Sequence, residues 1–225
     1  MTNPAPHRQY FEPKLEILPE PQLRLWPELK DTPSMFTLYG GTALALHYGH
    51  RDSVDFDFFS NYDFDPMELK ESVPYLQDAL LIRSADNTLE CRVDRGGPVL
   101  VSFFGGRKLQ KVEQPFSSTE NDLAVASPRD VLATKLNTIQ KRGSAKDYID
   151  IAAGLNEGWT LEQGCEDAIS VWGYSFEPMT SLKALCSFND IQGDPLPLKI
   201  QEQLHTAVYA VDLSTLPSHD RGMDL

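Results

Sequence analysis

Asp55 and Asp57 stand two apart in the run Val-Asp-Phe-Asp-Phe-Phe at residues 54–59. In an extended strand that spacing puts both carboxylates on one face and sends Phe56 and Phe58 the other way, into a core. About 6–7 Å apart along the strand, the two acids can share one cation, or a pair of cations roughly 3.5–4 Å apart. Hard oxygen donors of this kind suit magnesium. A bare Asp-x-Asp is equally at home on a solvated strand face, so the neighbouring residues decide its meaning. Upstream lies Gly40-Gly41, where the missing side chains let a backbone approach phosphates and a following helix aims its positive end at an anion. Thr42 adds a hydroxyl or an N-cap there. The turn lacks the Lys-Ser/Thr ending of a Walker loop. A strand, a Gly-Gly turn, a short helix and a returning Asp-x-Asp strand form a layout that sets a triphosphate beside a metal.

The elements that must hold these residues can be read from pattern. Phe36 to Tyr39 reads as a strand, Thr42 to Tyr48 as a helix opened by the glycines, and Val54 to Phe59 as a second strand. Before them, Pro13, Pro19, Pro21 and Pro27 cut the chain into short helical pieces that wrap the core. After the turn at Asp63 to Pro66, a helix is expected over Met67 to Leu80 despite Pro74. Thr88 to Val93 and Val99 to Phe104 form a hairpin around Gly96-Gly97, and Leu123 to Ala126 reads as another strand. From Pro128 the period becomes helical, over Pro128 to Gln140, Ala145 to Glu157, Leu161 to Trp172, Met179 to Ser187 and Leu198 to Val211. The expected organisation is therefore an α/β core with its N-terminal helical wrap at 1–127, a helical C-terminal lobe at 128–213 and a flexible tail at 214–225.

Composition narrows the function classes. The 225 residues carry 41% hydrophobic and 24% charged side chains, ordinary for a folded globular chain. A net charge of -13 and a pI near 4.7 speak against a generally basic nucleic-acid coat, so any RNA contact must be local. No apolar run approaches the roughly 18 residues of a membrane span, and a cytoplasmic location is expected. Three cysteines without Cys-x-x-Cys spacing suggest neither a disulfide framework nor a zinc site. One local exception to the acidity exists: residues 129–147 hold five basic and two acidic side chains, with Lys141, Arg142 and Lys146 close together. Lys135 lies at the border of the apolar stripe of its helix, four residues after Val131. His50 and Arg51, just before the aspartate strand, are candidates for phosphate binding or for fixing the loop, whereas His47 reads as structural.

The run GGTALALHYGHRDSVDFDFF resembles the signature of the abortive-infection (AbiEii/AbiGii) toxin nucleotidyltransferases, within the polymerase-β-like superfamily. The downstream run VASPRDVLATKLNTIQKRGSAKDYIDI is similar to that family's lysine helix and the helix start that follows it. The resemblance implies an α+β fold, a mixed sheet flanked by helices and followed by a helical C-terminal lobe. It implies transfer of a nucleotidyl group from a nucleoside triphosphate to a hydroxyl of RNA, tRNA included, or of a protein side chain, with Mg2+ or Mn2+ as cofactor. On that pattern Asp55 and Asp57 hold metal, and Lys135 and Asp147 are catalytic, one of Asp147 and Asp150 orienting a basic side chain or contacting substrate. Gly40, Gly41, Thr42, His50, Arg51, Ser53, Arg142 and Lys146 bind nucleotide. A cognate antitoxin is the expected partner.

The pattern departs at one place. Polymerase-β-like enzymes set a third carboxylate on a neighbouring strand, and here that position is Ser102, which leaves the general base unassigned between Glu90 and Asp94. A degenerate nucleotide-binding or partner-binding module, and a nucleotidyltransferase acting on a cationic small molecule in the aminoglycoside manner, are the competing readings.

Overall fold

The structure, a computed structural model, describes residues 8–106, 110–188 and 191–216. Of the flexible tail expected at 214–225, residues 217–225 lie outside the described residues, as do residues 1–7. Two compact units divide the chain: Met1–Lys108 with Gln114–Ser127, and Leu109–Glu113 with Pro128–Leu225.

The first unit is built on an eight-stranded mixed sheet. Its strands are β1 (Gln9–Phe11), β2 (Thr37–Tyr39), β3 (Asp55–Phe59), β4 (Leu80–Ala85), β5 (Thr88–Asp94), β6 (Pro98–Phe104), β7 (Phe116–Ser118) and β8 (Ala124–Val125), in the order β1-β7-β8-β2-β3-β6-β5-β4. β3 runs antiparallel to β2 and parallel to β6. Alternation decides which face is core: Phe56, Phe58, Val101, Phe103, Leu89 and Cys91 are fully buried, and Phe58 stacks on Phe103 at 5.0 Å between ring centroids. Each such side chain stabilises the fold by about 1.5–3 kcal/mol through burial. Three helices belong to this unit: α1 (Glu20–Leu25), α2 (Gly40–Tyr48) and α3 (Pro66–Ser72), with 3-10 turns at Leu15–Ile17, Trp26–Asp31 and Pro74–Leu76. The prolines thus produce the short pieces expected of them.

The helix expected over Met67 to Leu80 is instead interrupted. α3, capped by the Asp65 carboxylate on the amides of Met67 and Glu68, ends at Ser72. Val73 is extended at φ -89° and ψ 117° because Pro74 disfavours the helical conformation in the residue before it. A 3-10 turn follows, and Leu80 begins β4, a strand that the pattern did not announce. All six of its residues are exposed at the sheet edge, so no alternation of apolar and polar side chains marks it. The expected hairpin is present as β5 and β6, closed by the Asp94 carboxylate accepting from the amides of Gly96 and Gly97.

The second unit is helical: α4 (Pro128–Ile139), α5 (Ala145–Asn156), α6 (Leu161–Trp172), α7 (Pro178–Ala184) and α8 (Leu198–Ala210). Small residues let its helices approach. A Cβ added at Gly154 would lie 2.6 Å from Leu132 Cδ1, and one added at Gly164 would run into the Trp159 ring and Leu136. Arg129 donates two hydrogen bonds, 3.0 and 2.5 Å, to the Asp167 carboxylate. The buried Asp130 carboxylate accepts from the amides of Val112 and Glu113, at 2.8 and 3.2 Å, which fastens these two residues into this unit. Ser144 occupies the N-cap position of α5 but its hydroxyl makes no capping bond. Among the described residues no helix is long and apolar enough to cross a membrane.

Candidate active site

β2 delivers the chain to Gly40, whose φ of +76° turns it directly into α2. A side chain at this position would be strained, and it would also meet a carboxylate: an added Cβ at Gly40 would sit 3.1 Å from Asp57 Oδ2. The Asp57 carboxylate therefore lies against the glycine bend, in the space that the absent side chain leaves. Register explains this, because Asp57 pairs with Tyr39, the residue before Gly40. Asp55 shares the face of Asp57 and is, like it, half-buried, while Phe56 and Phe58 are fully buried on the other side. The N-cap residue of α2, Tyr39, supplies no side-chain cap, so the positive end of the helix is presented to the acids' side of the turn.

The strand bearing the acids is held at successive residues. The Thr42 hydroxyl bonds to Ser53 Oγ at 2.7 Å and donates to the Asp55 carbonyl. Ser53 N–H donates to the Ile17 carbonyl at 3.2 Å, and the Gln22 side chain donates to the Val54 carbonyl at 2.8 Å. Thr42 is thus an interior residue of α2, not its N-cap, and the Thr42 and Ser53 hydroxyls, both buried, bond to one another. Their observed work is to fix where β3 starts. Arg51 donates to the Asp52 carbonyl at 2.9 Å, and the His50 ring packs edge-on to Tyr48, with centroids 6.3 Å apart.

His47, on the last turn of α2, is structural. Its ring stacks on Phe11 at 4.1 Å and meets Phe116 edge-on at 5.4 Å, and Nε2 lies 3.0 Å from the Ala126 carbonyl. Burial drives its pKa down to about 4, only partly opposed by that carbonyl.

Two carboxylates with oxygen donors only, beside the start of a helix, fit a hard divalent cation whose remaining positions water and phosphate oxygens would fill. Among the described residues no set of three His, Cys, Asp or Glu side chains gathers to hold a metal. Asp57 pairs with Ser102 on β6, so a serine does occupy the place beside it. Across the hairpin Ser102 pairs with Glu90, whereas Asp94 pairs with Pro98 and its carboxylate accepts from the turn amides of Gly96 and Gly97.

Within the helical unit, Lys135 Nζ lies 2.6 Å from Asp147 Oδ1 and 2.8 Å from Asp150 Oδ2. The three side chains are only 12%, 4% and 0% exposed, so this is a desolvated triad, not a snorkelling lysine. Burial alone would lower the lysine pKa, but the two carboxylates outweigh it, and the ammonium ends above its ordinary value. Asp147 and Asp150 thus hold one lysine between them, where the resemblance implies that one of the two orients a basic side chain or contacts substrate. The basic island is smaller than its sequence count. Arg129 and Lys135 are neutralised by Asp167 and by the triad, which leaves Lys141, Arg142 and Lys146, all exposed.

A family model for the nucleotidyl transferase AbiEii toxin, of a type IV toxin–antitoxin system, matches residues 28–173. An uncharacterised protein of Aquifex aeolicus is 32% identical over 131 residues, 57% of this chain and 62% of that protein, so the match spans less than two thirds of the relative's length. A nucleotidyltransferase toxin of Mycobacterium tuberculosis superposes with a TM-score of 0.58 at 16% identity, over 85% of this chain and 82% of that one. An antigenic nucleotidyltransferase-like protein of Paracoccidioides brasiliensis superposes with a TM-score of 0.52 at 14% identity, over 88% and 94% respectively. At such identities the superpositions speak for the fold. The family match covers well over half of the chain and takes in both the Asp-x-Asp strand and the lysine helix, and by it this chain belongs to the nucleotidyl transferase AbiEii toxin family.

Proposed function

We propose that the protein transfers a nucleoside monophosphate from a nucleoside triphosphate to a hydroxyl of RNA, with tRNA included, or of a protein side chain, in the cytoplasm and under control of a cognate antitoxin. The observation that carries this reading is the Asp57 carboxylate lying against the Gly40 bend, with Asp55 on the same face at the start of α2. In the reaction the acceptor oxygen bonds to the α-phosphorus, the α–β phosphoanhydride bond breaks, and pyrophosphate leaves. Asp55 and Asp57 would hold Mg2+ or Mn2+, which supplies charge neutralisation for the phosphates when bound. The backbone of Gly40 and Gly41 admits a phosphate close to the helix start. Thr42 and Ser53 keep the acid-bearing strand in place through their mutual hydrogen bond. His50 and Arg51 are assigned to the phosphates from the loop ahead of β3. In the helical unit, Lys135, held charged by Asp147 and Asp150, is given the catalytic role that the family resemblance implies for it. Arg142 and Lys146, exposed beside Lys141, suit the phosphates of a nucleotide or of an RNA acceptor.

Incubation with each labelled triphosphate, magnesium and total RNA is the direct test. Label should enter RNA or the protein with the unaltered chain, and Asp55→Ala or Asp57→Ala should reduce incorporation by at least a hundredfold with an unchanged thermal midpoint. Undiminished incorporation by the double variant would refute the assignment. Ser102 in the place beside Asp57 favours a second reading, a binding module without transfer. That reading predicts tight calorimetric binding of magnesium nucleotide and no label on any acceptor.

A further inference from the structure

If the reaction is nucleotidyl transfer, as read above, the attacking hydroxyl must lose a proton, and Asp55 and Asp57 are committed to the cation. We infer that Glu90 takes that proton, acting from one strand further away than the serine-occupied position beside Asp57.

Residues directly opposite one another across a ladder lie on one face of a sheet. Tyr39 pairs with Asp57, Asp57 with Ser102, Ser102 with Glu90 and Glu90 with Arg83, so these side chains form a single row across five strands. The spacing between neighbouring strands, about 4.8 Å, sets the Cα atoms of Asp57 and Glu90 roughly 10 Å apart. Ser102, between them, is the smallest residue of the row, so within it no long side chain separates Asp57 from Glu90. Glutamate has one methylene more than aspartate, which suits a carboxylate reaching across a serine toward an acceptor held near Asp57. Glu90 is not locked into the fold. Among the described residues its carboxylate meets Arg83 Nη1 at 3.3 Å, and the Arg83 side chain is 61% exposed. The other acid of the hairpin, Asp94, is excluded by its bonds to two turn amides. The step balances: the acceptor proton moves to a Glu90 oxygen as the oxygen–phosphorus bond forms and pyrophosphate departs.

The row itself supplies the test. Glu90→Gln should lower the transfer rate by about 10²–10⁴-fold, the range for loss of a general base. Adding Ser102→Asp to Glu90→Ala should restore at least tenfold of it, because the carboxylate returns one strand closer to Asp57. Affinity for Mn2+ with a non-hydrolysable triphosphate, read by calorimetry, should stay within about threefold in Glu90→Gln while Asp57→Ala loses it. Arg83→Ala should transfer at a near-normal rate. Equal loss in Arg83→Ala and Glu90→Gln would show a merely structural pair and overturn the inference. Full transfer by Glu90→Gln would overturn it too, while leaving the Asp55 and Asp57 reading intact. Absence of transfer by the unaltered chain would overturn both.

Discussion

Asp57 and Gly40 depend on each other: the carboxylate occupies the volume that any side chain on the glycine would need, and the glycine's positive φ brings the helix start to the carboxylate. The acid pair and its face were legible from a period of two, since the buried phenylalanines leave Asp55 and Asp57 no other side to take. The direction of a hydroxyl was not legible. Thr42, two residues into the helix, invites a phosphate-binding reading, but its hydroxyl is bonded to Ser53 and the Asp55 carbonyl, a contact that needs the return of β3. His47 gives this scale its prediction. Its folded pKa, about 4, lies below an unfolded value near 6.5, so the folded state refuses a proton that the unfolded state accepts. Stability should be unaffected by this group above pH 6.5, fall between pH 6.5 and 4, and level off below, at a cost on the order of 3 kcal/mol. Denaturant midpoints at pH 7 and 4.5 should therefore differ more in the unaltered protein than in His47→Gln.

Elements were recovered from the sequence in proportion to how strongly burial patterns them. The helices of the second unit begin and end close to their expected bounds, and α4, α5 and α6 each bury a set of apolar residues at helical spacing. β4 escaped notice for the opposite reason: an edge strand exposed at every residue carries no alternation, and Pro74 lies just where a continuous helix seemed to run. Cross-strand register was also out of reach. Whether Glu90 or Asp94 faces Ser102 depends on the number of residues that the Asp94–Gly97 turn consumes, which pattern does not reveal. Helix packing yields a prediction here. Gly164→Ala would push a methyl into Trp159 and Leu136, and should destabilise the protein by about 1–3 kcal/mol with an unchanged denaturant slope. Trp159→Phe should recover part of that loss in the double variant, and simple additivity of the two changes would show that they do not meet.

Over the whole molecule the dominant electrostatic fact is a net charge of -13, against which three exposed basic residues form a small exception. If RNA is the acceptor, Lys141, Arg142 and Lys146 should carry much of the salt dependence of its binding. Replacing all three by Gln should weaken RNA binding at low salt and flatten the logarithmic salt dependence by about two, at roughly 0.7 per single-strand phosphate contact. An unaltered slope would place the acceptor elsewhere. The order of strands also has a consequence in time. β1 is the first strand of the chain, yet its neighbour in the sheet is β7, so Gln9 has no ladder partner until Phe116 exists. On a ribosome adding roughly 5–20 residues per second, that wait lasts many seconds. For about half of the 225 residues the nascent chain therefore carries that margin of the sheet unfinished, and whatever chaperone meets it then meets an open edge.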